Sequence, residues 1–396
     1  MKVLLVNHFP LEGSGSGIYT KNIAQNLLKQ GHEVRVIVVD SEFNEDQELF
    51  VRTIHYYRFP CFTTHPKSTN KFCNLSREEM NDYLNKFLTT VREETESFDP
   101  DLIHCQHIWI APYAALKTDK PYVITTHGTD IKGFKEDKRY RSIAIKAAAG
   151  AKKIITISRQ VHQDVLKYYG VNEDKLRLIK NGFDQNIFKK MSLNRDEVLS
   201  DFIPGYQGGA RWVVNFVGKL TDFKGVDLLI QAAEIYEKAL PGVMTLITGD
   251  GELRERLVEM VKEKELKGIH FLGNQKQKVV AKLYNIADVS VVPSRVEPFG
   301  LVALEALACG TPVIVSNAGG LPDFINDKVG SLFQMNDYRA LAEKIINALQ
   351  NDEKKKKGDY AAEYALKNYS WERTVQELIK VYEEVLADNL SLKKSK

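Results

Sequence analysis

The sequence has few cysteines, no long apolar run and little excess charge. Only four cysteines occur in 396 residues and none forms a C-x-x-C pair, which excludes a disulfide-rich scaffold and a zinc ribbon. No stretch of 18 apolar residues is present, and the four apolar residues after Lys2 are too few for a signal-peptide core. The net charge of +3 is too small to indicate nucleic acid as a partner. These absences predict a globular, cytoplasmic protein whose membrane contact is at most peripheral.

Short β-branched runs alternate with helical patterns along the chain, which is typical of parallel α/β sheets. In the first half we expect a helix from about Tyr19 to Lys29 and strands at 2–6, 33–39, 102–104, 122–125, 154–157 and 176–179. After a polar stretch at 191–211 we expect strands at 212–218, 244–249, 269–273, 289–293 and 312–316. The pattern predicts an α/β fold of two Rossmann-like domains that face each other across a ligand cleft.

The length also favours two domains, because 396 residues exceed what one hydrophobic core organises. We place the first domain at 1–190 and the second at 191–369. A long helix within 370–396 is expected to return to the first domain and to end in a basic tail.

A glycine-rich stretch, EGSGSGIYT at 12–20, lies between the first strand and the first helix. Glycines let the backbone approach a ligand, and the helix N-terminus offers N–H groups to a phosphate, although a flexible turn is an equal alternative. Asp40 ends the second strand and suggests the ribose position of a nicotinamide dehydrogenase. The spacing disfavours that reading, because Asn7 to Glu12 separate the strand from Gly13.

Three further segments place polar residues where strands end. His127 follows a strand in YVITTHGTDI, where hydrogen bonding or proton transfer to a ligand would be useful. Lys219 and Lys224 lie in a strand–loop–helix segment and suit a diphosphate, whereas solvated charges are the alternative. Gly249 ends a strand and either lines a nucleotide pocket or forms a tight turn. His104 and His107 flank Cys105, but without a third ligand we expect strand-end packing rather than a metal site.

Two carboxylates stand out in SRVEPFGLVALEALACGTPVIVSNAGG. Pro298 keeps Glu297 out of the following helix, so Glu297 should lie in a loop beside the N–H groups of Phe299, Gly300 and Leu301. Glu305 falls inside an apolar helix and therefore needs a partner, either hydroxyl groups of a ligand or a structural donor. Paired carboxylates also occur in glycoside hydrolases, but hydrolysis requires neither the twin sheets nor the lysine pair.

Together these motifs resemble the retaining nucleotide-sugar glycosyltransferases of family 4, which have the two-domain GT-B fold. EPFGLVALEALACGTPVI resembles their E-x(7)-E signature, and the resemblance covers nearly the whole chain. The other matching pieces follow the family's order: the glycine loop at 13–17, THG at 126–128, NGFD at 181–184, GKLTDFKG at 218–225, GDGEL at 249–253 and YSWE at 369–372. Family members commonly have arginine at position 219, where this chain has Lys219.

The resemblance implies that the domain at 1–190 lies on the acceptor side and that the domain at 191–369 binds the nucleotide sugar. It also implies a role for each residue. Glu297 would contact the donor sugar, Glu305 the ribose, and His127 would lie by the reacting sugar. The diphosphate would be bound by Lys219, Lys224, the amides of Phe299, Gly300 and Leu301, and the loop that contains Gly15 and Gly17. The implied donor is a UDP- or GDP-sugar, used without a metal or other cofactor, and the acceptor is a hydroxyl of a glycan, glycolipid or small metabolite.

From the sequence alone, two alternatives to sugar transfer stay open. A non-catalytic, two-lobed sugar-binding protein would bind sugar without a nucleotide, and a dehydrogenase would bind a dinucleotide. The segment 132–153 contains eight basic and two acidic residues, which predicts either contact with an anionic acceptor or membrane surface or an ordinary solvated helix face.

Overall fold

The structure is a computed structural model that describes residues 1–42 and 49–394. Its strands are β1 Lys2–Val6, β2 Glu33–Asp40, β3 Phe50–His55, β4 Leu102–Gln106, β5 Tyr122–Thr126, β6 Lys153–Thr156, β7 Leu176–Leu178, β8 Trp212–Val217, β9 Val243–Thr248, β10 Ile269–Gly273, β11 Val289–Val292, β12 Val313–Ser316 and β13 Gly330–Phe333. Its helices are α1 Gly15–Lys29, α2 Arg77–Phe98, α3 Ile110–Ala115, α4 Thr129–Glu136, α5 Arg141–Gly150, α6 Arg159–Tyr169, α7 Arg195–Ser200, α8 Val226–Ala239, α9 Arg254–Glu263, α10 Gln277–Ile286, α11 Leu301–Ala308, α12 Tyr338–Gln350, α13 Glu353–Tyr369 and α14 Trp371–Lys394.

The chain divides into two compact units, Met1–Asn181 with Trp371–Lys396, and Gly182–Ser370. The first unit contains a seven-stranded sheet of order β3-β2-β1-β4-β5-β6-β7, in which every pair is parallel. Helix α14 packs against α1, and its Tyr382 hydroxyl lies 2.6 Å from Nδ1 of His104 on β4. The predicted C-terminal helix therefore belongs to the first unit.

The second unit contains a six-stranded sheet of order β10-β9-β8-β11-β12-β13, again with parallel pairs. Helices α8 and α12 cover one face, and α7 and α10 pack on the other. Parallel strands covered on both faces read as continuous apolar runs, which is why the sequence reveals most of them. The prediction of two Rossmann-like domains is confirmed.

The structure differs from the sequence-based expectation in two strands and one helix start. Strands β3 and β13 were not predicted, because both are edge strands with exposed positions and no continuous apolar run. Helix α1 begins at Gly15 rather than near Tyr19, since Ser14 caps it by accepting a hydrogen bond from the Gly17 N–H.

The boundary between the two units lies at Asn181–Gly182, earlier in the chain than the predicted boundary at 190. The second unit starts at Gly182 because the following segment packs within it: Phe188 contacts the ring of Tyr284, and Asn285 binds the backbones of Lys189 and Met191. Of the predicted basic tail, residues 395 and 396 lie outside the described residues. Within the described part of the chain, no helix combines the length and apolarity that a bilayer crossing needs.

Candidate active site

The second unit has a topological switch point between β8 and β11, the first strand of its sheet and the fourth in chain order. In open α/β sheets, ligands bind at the carboxyl ends of the strands at such a point. The loop after β8 contains Lys219 and Lys224, and the loop after β11 contains Glu297 and Gly300. Strand order thus gathers four predicted donor-binding residues at one edge of the sheet.

Lys224 and Glu297 form an ion pair at this edge, with Nζ 2.6 Å from Oε2. Glu297 is buried, and the Ser294 hydroxyl donates a second, longer hydrogen bond of 3.3 Å to the same oxygen. The backbone of Glu297 is held as well, because its carbonyl accepts from the N–H of Gly320. The pair joins a cation suited to phosphate and a carboxylate suited to hydroxyl groups in one preformed contact.

Glycine allows the two loops to approach each other this closely. Gly225, directly after Lys224, has φ +64°, and a Cβ there would lie 2.1 Å from the carbonyl oxygen of Pro293. Gly249 has φ +135°, and a Cβ there would lie 1.9 Å from the carbonyl oxygen of Gly218. Lys219, the next residue after Gly218, is exposed. The structure gives Gly249 a packing role between the β8 and β9 loops, and its contact with a nucleotide stays a prediction.

Arg295 also connects these two loops, and no motif in the sequence predicts this role. Its guanidinium donates to both carboxylate oxygens of Asp227 at 2.9 and 2.7 Å and to the Asp222 carbonyl at 2.8 Å. Its backbone N–H donates to the Phe223 carbonyl at 2.7 Å. The neighbouring aspartates hold the pKa of Arg295 above its usual value, the hydrogen bonds to Asp227 being the main cause.

Glu305 lies within α11, as the sequence predicts, on a face where Leu301 and Val302 are also only partly buried. Burial of the carboxyl raises its pKa to about 8, with the Tyr284 hydroxyl beside it offsetting part of the shift. The helix starts directly after Gly300, whose φ is +106°. Phe299 turns its side chain inward and stacks on Phe324, with ring centroids 5.3 Å apart. Phe299 can therefore meet a donor only through its backbone.

His127 follows β5 in the first unit and is buried. Its Nε2 lies 2.9 Å from Oε1 of Gln106, and the Tyr19 ring packs against it edge-on at 5.0 Å. Burial, followed by the nearby His107, lowers the pKa of His127 well below its usual value. His127 is thus a neutral imidazole that can donate or accept a hydrogen bond but carries no charge near neutral pH.

The other strand-end histidines surround the switch point of the first sheet, between β1 and β4. His8 bonds the Ala111 N–H and the Tyr83 hydroxyl, and burial lowers its pKa to about 3. His104 bonds Tyr382 and Thr125, in line with the packing role expected for it. His107 adopts φ +68° and packs among aromatic rings. Among the described residues, no group of three His, Cys, Asp or Glu side chains could hold a metal.

Gly15 and Gly17 lie in the first turn of α1 rather than in a loop, and the Gly17 N–H is taken by Ser14. Asp40 is buried at the end of β2, where Nζ of Lys67 lies 2.9 Å from its Oδ2 and the Ser41 N–H donates to its Oδ1. These contacts occupy the carboxylate that would have to bind a ribose in a dehydrogenase.

Several basic side chains of the segment 132–153 bond to other parts of the protein, so fewer of its positive charges face solvent than its composition suggests. Arg139 binds Asp137 and the Leu75 carbonyl, and Arg141 binds the carbonyls of Phe134 and Lys135. Lys153 pairs with Glu384 at 2.8 Å. These internal bonds use three of its eight basic side chains, so contact with a membrane or anionic acceptor through this segment stays a prediction.

Two family models match the chain, one on each half. Residues 13–186 match "Glycosyltransferase Family 4", and residues 207–385 match "Glycosyl transferases group 1". Among curated relatives, an uncharacterised glycosyltransferase of Methanocaldococcus jannaschii is 28% identical over 96% of this chain and 98% of the relative. The D-inositol 3-phosphate glycosyltransferase of Corynebacterium jeikeium is 29% identical over 95% of this chain and 94% of its own.

Solved structures share the fold at lower identity. Sucrose-phosphate synthase from Thermosynechococcus elongatus superposes with a TM-score of 0.78 at 22% identity, covering 98% of this chain and 100% of that one. Anabaena HepE in complex with UDP-glucose gives a TM-score of 0.74 at 20% identity over 98% and 99% of the two chains.

Proposed function

The chain belongs to the family 4 glycosyltransferases and has their GT-B fold, and from this premise we propose that it transfers a sugar from a nucleotide diphosphate to a hydroxyl acceptor with retention of anomeric configuration. The observation that carries the proposal is the Lys224–Glu297 ion pair of 2.6 Å at the switch point of the second sheet. Anabaena HepE has been crystallised in complex with UDP and with UDP-glucose, which supports a donor of this class.

The lysines and a helix N-terminus would balance the charge of the leaving diphosphate. We propose that Lys224 and Lys219 bind phosphate oxygens and that the first amides of α11, after Gly300, add further donors. Groups preorganised where negative charge develops lower the barrier to bond cleavage. In this proposal the protein supplies that charge and transfer requires no metal ion.

The two glutamates would bind the neutral parts of the donor. When Nζ of Lys224 donates a hydrogen bond to a phosphate oxygen, its ion pair with Glu297 weakens. Glu297 can then accept hydrogen bonds from sugar hydroxyls. Glu305, on the partly open face of α11, would accept from the ribose hydroxyls. Its raised pKa of about 8 is consistent with a desolvated carboxyl that has few hydrogen-bond donors beside it when no ligand is bound.

In the reaction itself, the bond from C1 of the sugar to the phosphate oxygen breaks and the acceptor oxygen bonds C1 on the same face. The acceptor proton passes to the departing phosphate, so no protein base is consumed. We propose that His127, kept neutral by burial, hydrogen-bonds the reacting sugar without transferring a proton. The acceptor is a hydroxyl compound, of the kind that the name D-inositol 3-phosphate glycosyltransferase gives for one relative.

A donor panel tests this function. Thermal unfolding would be followed with UDP-glucose, UDP-N-acetylglucosamine, GDP-mannose and ADP-glucose, because a ligand that binds only the folded state raises the melting temperature. The stabilising donor is then incubated with polyol and glycan acceptors in the presence of a chelator. We expect nucleoside diphosphate release that depends on both substrates and disappears in Lys224→Ala. Normal turnover by Lys224→Ala, or no stabilisation by any nucleotide sugar, would refute the proposal.

A further inference from the structure

Arg295 lies at the centre of a hydrogen-bonded network that no sequence motif predicts. It lies two residues before Glu297, and its backbone N–H and that of Val296 both donate to the Phe223 carbonyl, at 2.7 and 3.2 Å. Phe223 directly precedes Lys224. The main chains that carry the two members of the ion pair are therefore bonded to each other immediately beside it.

The side chain of Arg295 fixes the other flank of Lys224. Nη1 and Nη2 form a bidentate contact with Asp227, which lies in the first turn of α8. Nη1 also donates to the Asp222 carbonyl, at the start of the 3-10 turn that ends in Lys224. One guanidinium thus bonds the chain before and after Lys224. A third segment joins through Nε, which donates to Oδ1 of Asn336 at 2.8 Å.

We propose that Arg295 is a positioning residue for transfer, which holds the Lys224 turn at the distance from Glu297 that the donor requires. This inference rests on the proposed function, since it concerns the residues assigned there to the diphosphate and the sugar. Arg295 acts through the fork of its guanidinium, because a planar pair of donors fixes both distance and angle whereas an ammonium group fixes neither.

The second unit offers a matched control at the other end of β11. Arg195 donates to Asp288 Oδ1 at 2.6 Å and to the Arg211 carbonyl at 3.2 Å. Asp288 directly precedes β11, whereas Arg295 follows it. The side chains of both arginines are about equally covered, with 28% and 21% exposed. Arg195→Lys therefore removes a guanidinium that is similarly covered but makes fewer hydrogen bonds, at the opposite end of β11 from Glu297.

The experiment compares Arg295→Lys, Asp227→Asn and Arg195→Lys in donor kinetics, UDP affinity by calorimetry and melting temperature. We expect Arg295→Lys and Asp227→Asn to lower kcat/KM for the donor by about tenfold to a hundredfold, since a small misplacement of a charged group has effects of that size. Arg195→Lys should change kcat/KM by no more than about twofold at a similar loss of melting temperature. Equal kinetic effects of Arg295→Lys and Arg195→Lys would overturn the proposal.

A double variant separates positioning of Lys224 from general loosening of the loop. If Arg295 acts through Lys224, Arg295→Lys weakens UDP binding in the wild type but not in a Lys224→Ala background. An undiminished effect in that background would contradict the inference. UDP affinity is measured without acceptor or turnover, so this comparison still decides the role of Arg295 if no acceptor is found. If the wild type binds GDP or ADP instead of UDP, the same comparison is made with that nucleotide. Absence of binding to UDP, GDP and ADP alike would instead refute the proposed function.

Discussion

The ion pair between Lys224 and Glu297 leads to an unusual expectation for Glu297→Gln: the variant should bind UDP more tightly while transferring sugar more slowly. In the structure, Oε2 of Glu297 lies 2.6 Å from the Nζ that a phosphate oxygen must also reach. A carboxylate and a phosphate oxygen that share one ammonium group come within about 4 Å of each other, where like charges repel by about 1 kcal/mol in water and about 4 kcal/mol at an effective dielectric constant near 20.

Glutamine removes this repulsion and keeps the shape of the side chain. Because about 1.4 kcal/mol corresponds to a factor of ten, we expect UDP affinity to rise about tenfold. The sugar hydroxyls lose their charged acceptor, so donor turnover should fall. Calorimetric titration with UDP and initial rates with the full donor measure the two effects separately.

Asp222→Asn is the matched control for this prediction. This substitution removes one negative charge from the turn that contains Lys224. The Asp222 carboxylate pairs with Arg295, from which its Oδ1 lies 3.4 Å away, whereas the Glu297 carboxylate pairs with Lys224. The control should leave UDP affinity within about twofold of wild type, since the charge is exposed and screened. Unchanged or weaker UDP binding by Glu297→Gln would show that Glu297 does not repel the phosphate, and an equal gain in Asp222→Asn would show that net charge alone is responsible.

Three further predictions concern single residues. Burial raises the pKa of Glu305 from 4.5 to about 8, so the folded state retains a proton that the unfolded chain loses and this carboxyl lowers stability progressively as pH rises through that window. Glu305→Gln should therefore raise the melting temperature more at pH 8.5 than at pH 5 while weakening UDP binding; equal shifts at both values would contradict the pKa. Because burial keeps His127 neutral, His127→Ala should lower kcat about tenfold or more without moving the pH profile between 5.5 and 7.5, and an altered profile would show that it titrates there. A Cβ on Gly15 meets nothing within 4 Å, whereas one on Gly17 would lie 2.1 Å from the Pro10 carbonyl, so thermal unfolding should show Gly15→Ala near wild type and Gly17→Ala strongly destabilised.

Most of the fold could be predicted from the sequence because parallel strands that are covered on both faces are nearly continuous apolar runs. The sequence does not predict β3 and β13, because each lies at a sheet edge, exposes part of its length and therefore lacks a continuous apolar run. The sequence predicts a later start for α1 because its glycines indicate a loop, whereas in the structure Ser14 caps the helix and Gly17 packs tightly against the Pro10 carbonyl.

The candidate site divides in the same way. That Lys224 and Glu297 lie at the same edge of one sheet follows from the two strand ends that precede them, so the sequence predicts it. The network of Arg295 could not be predicted, because its partners Asp227 and Asn336 are 68 and 41 residues away in the chain and nothing in the local pattern distinguishes Arg295 from a solvated charge. Spacing along the chain identifies residues at strand ends, whereas long-range side-chain contacts require the folded coordinates.

Retaining transfer is tested by an NMR experiment on the product formed from the stabilising nucleotide sugar. Transfer is run in the presence of a chelator, and the anomeric proton of the product is compared with that of the donor before mutarotation can occur. We expect stoichiometric release of nucleoside diphosphate, a product with the donor's anomeric configuration, and loss of both in Lys224→Ala. An inverted product, a strict requirement for added metal ion, or full activity in Lys224→Ala would contradict the proposed function.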